Sequence, residues 1–288
     1  ENTFLVLFSG FVSLADWIGS SEIYFPYTET VSNLPDYAAR AAHQAEFALK
    51  DLGWTGYQPP SQPSDFATLF PSFSAPNDVQ KAAIQLAATT SGPALALIES
   101  PTGSGKTEAA LYLADSWASK NQQRGLYVAM PTMANSNQMH SRVTNVLRRR
   151  YQGKTTLPLL IHSQERWLKN NPPPQIISDD EEVTDASTRS MTWFLPRKRR
   201  LLAPFGVGTV DQALISALET RHFFVRLFAL SHKTVIFDEV HAYDTYMATL
   251  FQHLLAWLSA VGASVILLSA TLPASTRQEF MRAYAGYD

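Results

Sequence analysis

No cysteine occurs anywhere in the 288 residues, so disulfides, thiolate zinc sites and cysteine nucleophiles are excluded together. The absence fits a reducing compartment. Excess charge of either sign is missing too: 23 Lys and Arg stand against 25 Asp and Glu, a formal net charge of -2. Any contact with nucleic acid must then come from local groups rather than from an overall basic field. Long apolar runs are also lacking. Phe4 to Val12 is too short to span a bilayer and is broken by Ser9 and Gly10, and the sequence carries no signal-peptide pattern. These absences lead to the expectation of a soluble, cytoplasmic protein with no membrane partner. What is present suffices for folding, since 45% apolar residues and 11% aromatics support a substantial core.

Residues 1 to 20 read as a buried helix, apolar at Phe4, Leu5, Leu7, Phe8, Phe11, Val12 and Leu14. A second, amphipathic helix runs from Tyr37 to Leu52, with Gly53 as its stop. From Tyr57 to Pro76 five prolines and several serines show little periodicity, the composition of a linker. The expected units are therefore 1–56, all-helical; 57–75, linker; and 76–288, a larger domain. In that domain, short apolar runs alternate with helical stretches: Leu95 to Ile98, Gly125 to Met130, Leu157 to His162, Phe205 to Val210, Thr234 to Phe237 and Ser264 to Leu268. The alternation predicts an α/β fold with a parallel sheet, helices on both faces, and sites at the carboxyl ends of the strands. Asn170 to Ser190, with three prolines and then Asp179-Asp180-Glu181-Glu182, reads as a surface insertion. The chain starts on Glu1 rather than Met, already inside a helical pattern, which reads as a piece of something longer.

One stretch organises the chemistry. Ser100, Pro101, Thr102, Gly103, Ser104, Gly105, Lys106 and Thr107 follow an apolar strand and open a helical pattern, Glu108 to Ser119. A Gly-rich turn feeding a helix aims backbone N–H groups and a helix N-terminus at one point, where a phosphate chain is stabilised. Lys106 adds a charge for the outer phosphates, and the Thr107 hydroxyl can ligate Mg²⁺. The strict phosphate-loop pattern wants Gly where Ser100 stands. Asp238 and Glu239 follow the strand Thr234 to Phe237 and so emerge at the same sheet edge. An ATP hydrolase needs one acid to hold Mg²⁺ and a second to orient and deprotonate water, which suits Asp238 and Glu239 respectively. Ser269 and Thr271 end a third strand, placed to hydrogen-bond toward the Asp-Glu-x-His segment and couple it to the γ-phosphate.

The order of these motifs is that of superfamily two helicases. Glu99-Ser100-Pro101-Thr102-Gly103-Ser104-Gly105-Lys106-Thr107-Glu108-Ala109-Ala110 and Leu268-Ser269-Ala270-Thr271-Leu272-Pro273 fit many such motors. More particular are Val207-Gly208-Thr209-Val210-Asp211-Gln212-Ala213-Leu214 and Asp238-Glu239-Val240-His241-Ala242-Tyr243-Asp244. Through these stretches the chain resembles the CRISPR-associated helicase-nuclease of type I CRISPR systems. The resemblance implies a RecA-like, phosphate-loop NTPase lobe preceded by the last helices of an HD nuclease domain. Asp16, in Val12-Ser13-Leu14-Ala15-Asp16-Trp17-Ile18-Gly19-Ser20, would then be the final acid of a site for a divalent transition metal, whose histidines lie upstream of Glu1. No His here is followed by Asp, so this piece alone is not expected to cut DNA.

The resemblance further implies that Gln80 reads the adenine edge by a two-point hydrogen bond. Pro131, Thr132, Gly208 and Thr209 would hold DNA phosphates, and His241 would link the phosphate site to the DNA face. The implied partners are single-stranded DNA and an RNA-guided CRISPR surveillance complex (Cascade); the implied cofactors are ATP and Mg²⁺. Such a motor needs a second RecA-like lobe for its arginines, so this piece is expected to hydrolyse ATP poorly by itself. Arg148-Arg149-Arg150 and Arg197-Lys198-Arg199-Arg200 are either phosphate contacts or solvated charge; Trp193 and Phe194 either stack on bases or pack. Two other readings remain: a superfamily two helicase on DNA or RNA without a nuclease, and a binding module gated by nucleotide without turnover.

Overall fold

The computed structural model describes residues 2–27, 33–55, 57–151, 160–162, 193–194, 199–218 and 220–286. The expected acidic insertion and the pair Arg197-Lys198 lie outside them. Six strands form one parallel sheet in the order β1-β6-β5-β2-β4-β3: β1 (Leu95–Glu99), β2 (Leu126–Met130), β3 (Leu160–His162), β4 (Phe205–Thr209), β5 (Thr234–Phe237) and β6 (Ser264–Ser269). The helices are α1 (Thr3–Gly19), α2 (Leu34–Asp51), α3 (Phe66–Leu69), α4 (Asp78–Thr89), α5 (Lys106–Lys120), α6 (Met133–Arg150), α7 (Val210–Leu214), α8 (Phe223–Leu230), α9 (Thr245–Ala260) and α10 (Ala274–Ala285).

The central strands are apolar throughout because each face of the sheet meets helices. Val235, Phe237, Val265 and Leu267 enter one core with residues of α1, α8, α9 and α10. Their alternates Ile236, Ile266 and Leu268 enter the other with residues of α3, α5 and α6. That two-residue alternation, buried on both sides, is what a covered parallel sheet requires. In the first core Phe251 of α9 is ringed by Phe237, Tyr243 and Phe280, with centroids 4.8, 5.1 and 5.0 Å away.

Two expectations for the N-terminal part can be set beside the structure. Within this chain α1 buries one face: Val6, Gly10, Leu14 and Ile18 face inward, while Phe4, Leu5, Phe8, Phe11 and Val12 are exposed. The inward face meets α8 so closely that a Cβ on Gly10 would fall 2.4 Å from Phe228 Cβ. Further along, the Arg199 guanidinium sits 5.6 Å from the Trp17 ring and 4.7 Å from the Trp193 ring. Trp193 and Phe194 join Trp54 in an aromatic cluster, which makes them packing residues.

The proline-rich stretch, second, is folded onto the lobe. Phe66, Leu69 and Phe70 belong to the second core. The end of α6 stitches it down: Arg149 Nη1 donates to the Leu69 carbonyl (2.8 Å), Arg150 Nη2 donates to the Gln62 carbonyl, and Arg150 Nε pairs with Asp115 (2.5 Å). Arg149 and Arg150 are thus committed to the fold instead of to DNA phosphates.

Lys233, at the amino end of β5, is buried and donates from Nζ to the carbonyls of Leu201 (2.6 Å) and Ala203 (2.5 Å). Burial pulls its ammonium down to about 7. The unfolded chain, with an ordinary lysine, therefore holds more protons above that value, and the native state gains stability as pH rises from 7 toward 10. Because tyrosine in the unfolded chain ionises near pH 10, the useful window is pH 7 to 9. Urea midpoints across it are expected to show native stability rising by roughly 1–2 kcal/mol relative to Lys233→Met. A constant difference between the two proteins would show that Lys233 stays charged throughout.

Candidate nucleotide and nucleic-acid site

All strands run the same way, so the ends of β1, β6, β5, β2 and β4 share one sheet edge. Gly103 (φ +80°) and Gly105 (φ +83°) turn the chain out of β1 through left-handed conformations and into α5. Beneath that turn, Asn77 and Gln80 form a reciprocal cap at the start of α4. The Asn77 N–H donates to Gln80 Oε1 (2.9 Å) and the Gln80 N–H to Asn77 Oδ1 (3.0 Å). Asn77 Nδ2 also donates to the Ser104 carbonyl (2.9 Å), and a Cβ on Gly105 would fall 2.5 Å from Gln80 Nε2. The cap props the loop from below.

The structure adds a second role for Gln80: its side chain is buried and Oε1 accepts the Asn77 N–H, which seats it against the loop. Its place is under the loop. Two buried polar atoms at that loop, Gln80 Nε2 and Ser104 Oγ, have no hydrogen-bond partner among the described residues. Orphaned groups beside a Gly-rich turn that opens a helix fit a phosphate chain. Lys106 Nζ donates to the loop carbonyls of Ser100 and, at 2.9 Å, Pro101.

Asp238 leaves β5 with its N–H on the Ala129 carbonyl of β2 (3.0 Å). Glu239 follows at φ +53°, a left-handed conformation that costs a non-glycine residue roughly 1–3 kcal/mol. The turn brings its N–H onto Asp238 Oδ1 (2.9 Å) and leaves the Glu239 side chain exposed. Burial, reinforced by the Glu239 charge, raises the Asp238 carboxyl above the usual range; the Glu239 N–H, Lys106 and Arg142 pull it back.

Ser269 joins the segments. β1 and β6 end in register, so its carbonyl accepts the Ser100 N–H (3.1 Å). Its hydroxyl lies 3.4 Å from His241 Nδ1 and donates to the Thr271 carbonyl (2.7 Å). On the expected nucleic-acid face, Thr132 is exposed and caps α6, accepting the Asn135 N–H (3.4 Å), with Pro131 half-buried beside it. Gly208 is an interior strand residue paired with Ala129 and buried; Thr209 is buried at the strand end, its carbonyl taking the Tyr127 hydroxyl (3.2 Å).

The profile of the DEAD/DEAH box helicases matches residues 77–280, which include every motif of this edge. The chain belongs to that family. Within the helicases it is 40% identical over 280 residues to the CRISPR-associated endonuclease/helicase Cas3 of Thermus thermophilus, covering 95% of this chain and 30% of that protein. It is 32% identical over 289 residues to the protein of the same description from Escherichia coli K12, covering 96% of this chain and 31% of the relative. A crystal structure of T. fusca Cas3 with ADP shares the fold at a TM-score of 0.81 and 36% identity, over 97% of this chain and 31% of that one. The chain thus spans about 30% of the length of the relatives it matches.

Asp16 stands exposed on α1, and among the described residues no group of three His, Asp or Glu could hold a metal. Likewise no described helix is long and apolar enough to cross a membrane. Sequence reading missed three residues of the site. Asn77 was findable from Asn-x-x-Gln, a capping-box pattern. Arg277, which pairs with Glu99 at 2.7 Å just before the loop, and Arg142, described below, reach across 178 and 34 positions and leave no local trace.

Proposed function

We propose that residues 76–288 are the first RecA-like lobe of a CRISPR helicase-nuclease that hydrolyses ATP to move on single-stranded DNA and unwind it. Residues 57–75 would be its joining segment and 1–56 the end of its HD nuclease domain. One observation carries this reading: Ser269 hydrogen-bonds the start of the phosphate loop through its carbonyl and approaches His241 through its hydroxyl, so three helicase motifs form one connected unit. In the full protein Asp16 would complete a divalent transition-metal site of the nuclease. A surveillance complex would be its partner; a structure titled as an RNA-guided surveillance complex, pre-nicking, matches at 31% identity and a TM-score of 0.61 over 98% of this chain.

The chain's own groups have separable tasks. Lys106 leaves the Ser100 and Pro101 carbonyls for the outer phosphates, and the loop N–H groups and Ser104 hold the others. Thr107 and Asp238 suit Mg²⁺, which would offset the charge of the transferring phosphoryl group. Glu239, exposed at the strand end, orients water and takes its proton. Ser269, bonded to Ser100 at the start of the loop and facing His241, would carry the state of the phosphate site toward the Asp-Glu-x-His segment, and Thr132 at the head of α6 would hold the DNA backbone.

The test is ATP hydrolysis by the full-length gene product, native and Lys106→Ala, with single-stranded DNA or RNA. DNA should stimulate turnover at least tenfold in the native protein and not in the variant. Equal stimulation by RNA would favour a general helicase instead. Tight nucleotide binding without turnover on either would leave a nucleotide-gated binding module.

A further inference from the structure

Arg142, at the middle of α6, reaches across to the first turn of α5. Its Nη2 pairs with Glu108 Oε1 at 2.6 Å and its Nη1 donates to Thr107 Oγ1 at 3.2 Å. The two contacts are unequal. A charge-assisted pair at 2.6 Å to a carboxylate whose side chain is only 11% exposed is the anchor; the hydroxyl contact has ordinary length. Arg142 is therefore held by Glu108, and Thr107 is held by Arg142.

That hierarchy matters because threonine in a helix divides between two χ1 rotamers, one of which turns the hydroxyl back onto the carbonyls of the preceding turn. We propose that Arg142 is a positioning residue that keeps the Thr107 hydroxyl available as a magnesium ligand. The inference rests on the ATP-hydrolysis reading above. A hydroxyl oxygen has two lone pairs, so it accepts from Arg142 with one and offers the metal the other. Lysine would supply the charge without the fork that spans Glu108 and Thr107. Since Arg142 lies on the helix capped by Thr132, the metal ligand is also tied to the element that faces DNA.

Equilibrium binding tests this without turnover. A fluorescent ADP analogue is titrated into the full-length protein with Mg²⁺ and with chelator, and the ratio of the two affinities is compared, so that a general loss of nucleotide binding cancels. Arg142→Gln is expected to lower that ratio about tenfold, the usual effect of removing a group that orients a metal ligand, and Arg142→Lys nearly as much. The double variant Arg142→Gln with Glu108→Gln leaves no unpaired buried carboxylate and should show the same loss with a native-like thermal midpoint. A ratio within twofold of native in Arg142→Gln, or full rescue by lysine, overturns the positioning role. No magnesium effect in the native protein would instead remove the nucleotide reading and this inference with it.

Discussion

Glu239→Gln is expected to lower DNA-stimulated ATP hydrolysis by the full-length protein by roughly 10²–10⁴-fold while nucleotide still binds. The amide has the same shape as the carboxylate and can still orient water, but it cannot take a proton. The backbone contact that fixes Asp238 comes from the Glu239 N–H, which the substitution keeps, so the neighbouring acid is undisturbed. The left-handed turn points the same way. A strained residue between a buried strand and a short helix persists only where the surroundings enforce it, and here it sends two adjacent acids into different surroundings, Asp238 half-buried and Glu239 exposed. Turnover is read by phosphate release and binding by a fluorescent ATP analogue. Turnover within threefold of native would move the base elsewhere, with His241 as the first alternative.

The largest effect on stability is expected at Phe251. Phe251→Ala should cost roughly 3–5 kcal/mol in urea unfolding, since the ring is fully buried and its neighbours are themselves rings that cannot collapse into the gap. Its three partners come from β5, the turn just after the Asp-Glu-x-His segment, and α10, so the hole opens beside the turn that carries Asp238 and Glu239. Phe251→Leu should lose less than half as much. Tyr246→Ala, on the same helix at 74% exposure, serves as the control and should stay within about 0.5 kcal/mol of native. A loss below about 1 kcal/mol at Phe251 would mean that the sheet closes over the cavity.

The strands were legible because a sheet covered on both faces needs continuous apolar runs, and the six runs read from the sequence lie within three residues of the observed strands. The loop and the acid pair were legible because each is contiguous and follows such a run. What escaped was the packing between distant segments. Gln80 reads as a nucleotide contact in a linear motif, and nothing in that motif announces that it also packs against Asn77 and Gly105. Phe66, Leu69 and Phe70 are hidden among prolines and serines, whose composition says surface, although those rings enter the core. On α1, apolar residues on every side conceal which face is covered; only the Gly10 contact with α8 decides it.

The tether of Lys106 to the carbonyls of Ser100 and Pro101 makes the charge of the loop a shared resource. An anion that draws the ammonium to itself must outbid two main-chain acceptors, so part of whatever attraction Lys106 offers goes to replacing bonds the loop already has. The lysine thus sets the grip of this turn by a difference between two sets of partners.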